Sequence, residues 1–173
     1  MTNARRDFLR VTGRALGGAV LGGAVLSTIG VRALHALQAQ AALPTMTVYK
    51  SASCGCCRQW VEHARSSGFT VRTVDTDDLN SVKREMGIPP ALASCHTVVV
   101  GSYVVEGHVP ADDVKRLLRE RPKVRGLAVP GMPIGAPGME QGPAAGYERY
   151  DVIAFETSGA TRVFASHGPP ARR

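Results

Sequence analysis

From position 45 onward, short apolar runs punctuate the chain, and their periods and stops define its elements. Residues 45–51, centred on Met46-Thr47-Val48-Tyr49-Lys50, alternate apolar and polar and predict a strand. Trp60, Val61 and Ala64 recur at helical spacing within 55–67, and Gly68 is placed to end that helix in a left-handed turn. Phe69-Thr70-Val71-Arg72-Thr73-Val74 alternates again and predicts a second strand. Asp77 or Asp78 then caps a second helix with Leu79, Val82 and Met86 on its apolar face and Gly87 as its stop. Pro89-Pro90 forces a loop. Two further strands, His96–Val100 and Tyr103–Glu106, flank Gly101-Ser102, which signals a two-residue hairpin turn. A third helix runs from Pro110 to about Arg121. Pro110 suits its first turn, Asp112 and Asp113 complement its positive end, and Val114, Leu117 and Leu118 form its buried stripe.

The order strand-helix-strand-helix-strand-strand-helix predicts an α/β fold on a thioredoxin-like plan, a mixed sheet flanked by helices. Composition shifts sharply over 123–149. Repeated Gly and Pro in Leu127 to Glu140 exclude helix and central strand, and predict a Gly/Pro/Met-rich loop. Tyr150–Glu156 and Thr161–Ala165 bracket Ser158-Gly159 and predict a C-terminal β-hairpin, leaving 166–173 as a flexible tail.

The N-terminus changes the picture of charge. Ala4-Arg5-Arg6-Asp7-Phe8-Leu9-Arg10 reads as a twin-arginine export signal, followed by an apolar run from Val11 to Val31 and an A-x-A-like cleavage site at Ala39-Gln40-Ala41. A membrane anchor is the competing reading. Six glycines and Arg14 within the run, Arg32 after it, and the cleavage site favour export with cleavage. Residues 1–41 are thus expected to be removed, leaving a metal-binding domain over 42–165 in the periplasm and no membrane attachment. The signal holds five of the 21 basic residues and one of the 14 acidic ones, so the remainder carries a net charge of only +3. The sequence pI near 9.7 is therefore largely a property of the signal, and no basic patch with interleaved aromatics remains to suggest nucleic acid.

Candidate chemistry concentrates in the cysteines. Three of the four lie in Ser53-Cys54-Gly55-Cys56-Cys57-Arg58, at the expected junction of first strand and first helix. Thiols at a helix start feel the positive end of the helix dipole, which favours the thiolate that attacks disulfides and binds soft metals. Cys54 and Cys57 have the C-x-x-C spacing of a redox pair, with Cys54 as attacking and Cys57 as resolving thiol. Cys56 complicates that role, because a third thiol offers competing disulfides. A soft-metal site gains from it, since Cu(I) accepts two or three thiolates and one sulfur can bridge several ions. Two plain disulfides are the default for four cysteines in an exported chain, but three within four residues staple distant segments poorly.

Other candidates depend on this cluster. Cys95 stands at the entry to the third strand, where a thioredoxin-like fold brings it near the helix start, as a fourth sulfur ligand or as a disulfide partner. His96 is either a ligand or an ordinary strand residue. His108, in Glu106-Gly107-His108-Val109-Pro110, taken alone reads as a capping or surface histidine; beside the cysteines it becomes a candidate ligand. Met132 and Met139 offer thioethers suited to Cu(I), although methionine more often fills apolar gaps. His63 is expected on the solvated side of the first helix, Trp60 and Tyr49 in the core, and His167 idle in the tail.

Cys54-Gly55-Cys56-Cys57, Ser94-Cys95-His96-Thr97, Glu106 to Pro110, and Gly126 to Pro133 with Pro137-Gly138-Met139-Glu140 resemble the CopG-like copper-resistance proteins, also described as a domain-of-unknown-function family of metal-binding proteins. The resemblance covers residues 46–165. It implies a periplasmic, thioredoxin-like protein encoded with copper-resistance genes that binds Cu(I) through the C-x-C-C cysteines. Whether the copper forms a sulfur-bridged, multinuclear cluster, and whether the protein changes its oxidation state, stay open. Expected partners are copper ions, with other periplasmic copper-resistance proteins or an electron donor beside them. The rivals are a metal-free thiol-disulfide oxidoreductase using Cys54 and Cys57, and a structural zinc site of four cysteines. Adjacent cysteines diverging on a helix start disfavour the second.

Overall fold

The computed structural model of the protein describes residues 42–141 and 146–169. The expected export signal over 1–41 lies outside them, as do the last four residues of the tail. Among the described residues no helix is long and apolar enough to cross a membrane.

The elements are β1 (Met46–Lys50), α1 (Gly55–Ser66), β2 (Val71–Asp75), α2 (Leu79–Met86), a short 3-10 turn (Pro90–Leu92), β3 (His96–Val100), β4 (Tyr103–Glu106), α3 (Ala111–Glu120), β5 (Gly126–Ala128), β6 (Tyr150–Phe155) and β7 (Thr161–His167). Their stops follow from local chemistry. Phe69 N–H returns to Ala64 O (3.1 Å) after α1, with Gly68 at φ +93°. Asp78 caps α2 by accepting from Ser81 N–H (3.0 Å), and Gly87 ends it in the left-handed conformation.

Seven strands form one mixed sheet in the order β2-β1-β3-β4-β5-β6-β7. The β1/β2 and β4/β5 pairs are parallel and the other four antiparallel. Alternation along the strands sends side chains to two cores. Val98, Val105, Leu127 and Ala154 face one side, where they pack with Trp60, Val61 and Ala64 of α1 and Val114 and Leu117 of α3. Val104 and Phe155 face the other, against Ile88 and Leu92 that follow α2. The site-bearing helix thus lies on the larger core, with Trp60 fully buried and its indole N–H donating to Val109 O (2.9 Å).

Two expectations need correction. Leu127 and Ala128 do lie in an interior strand, β5, between β4 and β6. The run that excludes regular structure begins only at Pro130, and Gly126 lets the backbones meet: a Cβ there would collide with the Val104 carbonyl. The hairpin is also longer than expected. β7 continues through Ser166 and His167, whose Nε2 lies 2.5 Å from Asp113 Oδ2 on α3 and whose ring stacks on Tyr150 at 5.4 Å. His167 is therefore tied down rather than idle.

Candidate metal centre

β1 delivers the chain to the site. Cys54 N–H bonds back to Ser51 O (3.1 Å), turning the backbone so that Cys54 becomes the N-cap of α1. Its sulfur does the work of a capping oxygen, accepting from Cys57 N–H at 3.3 Å. Cys57 faces inward and is fully buried, whereas Cys56 is half-buried on the outer side of the turn. Cys54 and Cys57 are joined by a disulfide; Cys56 and Cys95 are free thiols.

The second half of the site comes from the β3 entry and the turn after β4. Cys95 Sγ lies 3.7 Å from Cys56 Sγ, which is itself 3.5 Å from Cys54 Sγ. On its other side Cys95 Sγ is 3.0 Å from His108 Nε2 and 3.3 Å from His96 Nδ1. Two donor groups therefore share Cys95: the four sulfurs of Cys54, Cys56, Cys57 and Cys95, and the trio Cys95, His96 and His108. Within each, the ligand atoms all lie within 4.8 Å of one another. The set is soft, sulfur with imidazole, which suits Cu(I) and zinc and not the hard oxygen-seeking cations.

Electrostatics keep this half neutral without a metal. Burial first, then the neighbouring Cys56, pushes the Cys95 thiol up to about 12. Burial likewise lowers both histidines below their ordinary value, His96 by far the more. His108 Nδ1–H donates to Pro137 O (2.8 Å), which fixes the tautomer and points the Nε2 lone pair at Cys95, leaving the thiol as donor in that contact. His96 is fully buried, packed 4.8 Å from the Trp60 ring and 5.0 Å from the His108 ring, and its Nε2 has no hydrogen-bond partner among the described residues.

This geometry has close relatives. A family described as "Protein of unknown function, DUF411" matches residues 92–139, the stretch from the β3 entry to Met139. Two solved structures of copper resistance protein CopG, forms 1 and 2, are 41% and 42% identical to the chain. They cover 73% and 72% of it, and 99% and 98% of their own length, each at a TM-score of 0.68. The chain belongs to the CopG copper-resistance family. No curated protein sequence matches it.

Within this CopG-family chain the structure gathers Cys54, Cys56, Cys57, Cys95, His96 and His108 into one place. Cys56 and Cys57 differ in burial as adjacent helix-start residues should, yet all four sulfurs still lie within 4.8 Å of one another. His108 is fully buried, not a surface residue. The loop after β5 crosses this CopG site. Gly138 packs so closely on α1 that an added Cβ would lie 2.7 Å from Trp60 N and 2.9 Å from Cys56 O. Met139 follows it and is half-buried, whereas Met132 is 53% exposed. His63 is not simply solvated: its Nε2 accepts Ala111 N–H (3.1 Å), capping α3, whose own N-cap Pro110 offers no side-chain acceptor. Sequence reasoning missed Lys83 and Glu106, a buried ion pair beside the β3 entry. Lys83 lies next to the predicted apolar face of α2, and nothing in its spacing distinguishes it from a solvated lysine.

Proposed function

We propose that this protein is a periplasmic copper-binding protein of copper resistance that holds Cu(I) once the Cys54–Cys57 disulfide is reduced. Cys54, Cys56 and Cys57 supply the thiolates; Cys95, His96 and His108 complete the site, and Met139 and Met132 on the covering loop are further candidate thioether ligands. The observation that carries this reading is the convergence of three other cysteine sulfurs and two buried imidazoles on Cys95. The family resemblance, a copper resistance protein at 41% identity, supports copper over other soft ions. The unpartnered Nε2 of buried His96 also fits, because an imidazole in such a setting gains from a ligand bond. Cysteine spacing at the end of β1 and start of α1 fits a thioredoxin-like presentation of the site, and the twin-arginine signal fits export.

Two electrons separate the oxidised pair from the ligand form, so metal retention and thiol redox state are linked. An external dithiol reductant, itself oxidised to a disulfide, delivers two electrons and two protons that convert the Cys54–Cys57 disulfide to two thiols. Ligation of each thiol, Cys95 included, releases a proton. Copper redox activity is a natural extension of that linkage. The closed disulfide also favours a second reading, a thiol-disulfide oxidoreductase working without metal.

One comparison separates these readings. The reduced protein is loaded anaerobically with Cu(I) or Zn(II) against a competing chelator, and disulfide reductase activity on insulin is assayed with and without copper. We expect Cu(I) to be retained in preference to zinc, with slow insulin reduction. Cys56→Ser should lose copper retention while its Cys54–Cys57 disulfide still forms. Fast metal-free turnover with copper retention no better than an unrelated two-thiol domain would overturn the proposal, and tight, preferential zinc would reassign the metal.

A further inference from the structure

A charged pair that donates nothing to the metal lies directly against the β3 entry. Glu106, the last residue of β4, is fully buried, and Lys83 of α2 is 8% exposed. Lys83 Nζ donates to Glu106 Oε1 (2.5 Å) and to Thr97 Oγ1 (3.0 Å). The Thr97 hydroxyl in turn donates to Glu106 Oε2 (2.6 Å), and Ser94 N–H donates to Glu106 Oε1 (2.6 Å). One carboxylate therefore grips residue 94 on one side of Cys95-His96 and residue 97 on the other. Thr97 and Glu106 are also direct partners across the β3/β4 ladder. Two residues past Glu106, the same chain turns at Gly107 to present His108, and Gly107 N–H is held by His96 O (3.0 Å).

Stability alone is a poor reason for such a pair. Withdrawing two charges from water is costly, and apolar residues of similar volume often serve a core as well or better. The surroundings here are apolar, with Ile88, Leu92 and Val104 making up the nearby core. What the pair provides is direction: one hydrogen bond from the Ser94 N–H and two at the Thr97 hydroxyl fix the two ends of one short segment. Among the described residues no buried ion pair bonds to Cys54, Cys56 or Cys57, which the start of α1 and the Gly138 loop present.

We infer that Lys83 and Glu106 are positioning residues that fix the Cys95, His96 and His108 half of the metal centre. This rests on the copper reading above. The pair acts through Ser94 and Thr97 and touches no metal ligand atom itself. Its loss should loosen one half of the donor set and leave the C-x-x-C half intact.

The test compares two double variants in the full domain. Glu106→Leu with Lys83→Met replaces the pair by apolar groups and removes the clamp. Glu106→Gln with Lys83→Met removes the charges but keeps an amide oxygen that can accept from Ser94 N–H. Thr97→Val, nearly isosteric, removes one hydroxyl and covers the case in which the leucine variant fails to fold. Each is checked for cooperative melting and for closure of the Cys54–Cys57 disulfide. Reduced, metal-free protein is then alkylated with iodoacetamide and the rate at Cys95 read by mass spectrometry. Cu(I) affinity is measured by chelator competition, and nitrogen ligation by X-ray absorption.

The leucine variant should fold, close its disulfide, alkylate faster at Cys95, lose its nitrogen signature and bind Cu(I) about 10–100-fold more weakly. The glutamine variant should recover most of that loss, and Thr97→Val should show a smaller loss of the same kind. A folded leucine variant, or Thr97→Val, with wild-type alkylation rate and wild-type copper binding would overturn the inference, as would equal impairment of both double variants. Wild-type protein that fails to retain Cu(I) would sink the copper reading instead, while the Cys95 alkylation rates would still decide whether the clamp exists.

Discussion

At the residue scale, single side chains here perform tasks that their type does not announce. Cys54 is both half of a disulfide and the cap of α1. His63 spans between helices to accept the Ala111 N–H, a donor that Pro110 cannot satisfy. Only the unprotonated ring can accept, and burial lowers the His63 pKa below its ordinary value. The sign follows: the unfolded chain takes up the proton first, so this stabilisation is whole above about pH 6.5 and is lost as pH falls below it. His63→Ala should therefore lower the melting temperature by roughly 3–6 °C at pH 7.5, the value of a lost cap worth about 1 kcal/mol. The gap between variant and wild type should narrow on going to pH 5.5. A gap that stays constant with pH would show that His63 contributes by packing alone. The cysteines and histidines were legible as chemistry because their types are rare and clustered. Lys83 and Glu106 were not, because a lone lysine on an amphipathic helix and a glutamate at a strand end are ordinarily solvated, and only the tertiary packing buries them.

Regular elements were the most legible level. Caps and breakers such as Asp78, Gly87 and the Gly101-Ser102 turn are local, and the local signals agree with the final fold. β5 escaped because it is three residues long and owes its place to contacts with β4 and β6 rather than to its own period. The loop that follows it carries a specific demand. Gly138 has φ +82°, and the space its Cβ would need is taken by backbone atoms of Cys56 and Trp60, which cannot swing aside. Gly138→Ala should therefore destabilise by about 1–3 kcal/mol and lift the loop from α1. Lifting it withdraws Pro137 O from His108 and frees that imidazole to change tautomer. Gly131→Ala is the control, with a similar φ of +68° but nothing within 4 Å of the added carbon. Thermal melting and Cu(I) competition on both should find a loss of copper affinity only at position 138. Equal effects at the two sites would mean that backbone strain, not loop contact with the metal centre, governs the outcome.

For the whole molecule, the question is what the fold gains from the site. The Cys54–Cys57 disulfide closes a loop of four residues, so by chain entropy it stabilises the fold by about 2 kcal/mol at most. The sheet and its two cores stand largely independent of it, with the C-terminal hairpin pinned to α3 through His167–Asp113 and Arg116 over the Phe164 ring at 3.7 Å. Breaking the disulfide should thus leave the protein folded, which a site that alternates between disulfide and metal requires. A bound ion acts differently. It binds only the assembled donors, and free ligand at 100 times its dissociation constant adds about 2.7 kcal/mol, rising with concentration. The melting temperature of the reduced protein should then climb with Cu(I) above that of the oxidised form, while the reduced metal-free form melts only a few degrees below the oxidised one. Differential scanning calorimetry under anaerobic conditions reads all three. A reduced protein that unfolds at room temperature would show the disulfide, not the sheet, to be holding the domain together. A melting temperature indifferent to added Cu(I) would mean that the sulfurs and imidazoles around Cys95 do not act as a metal site in the folded state.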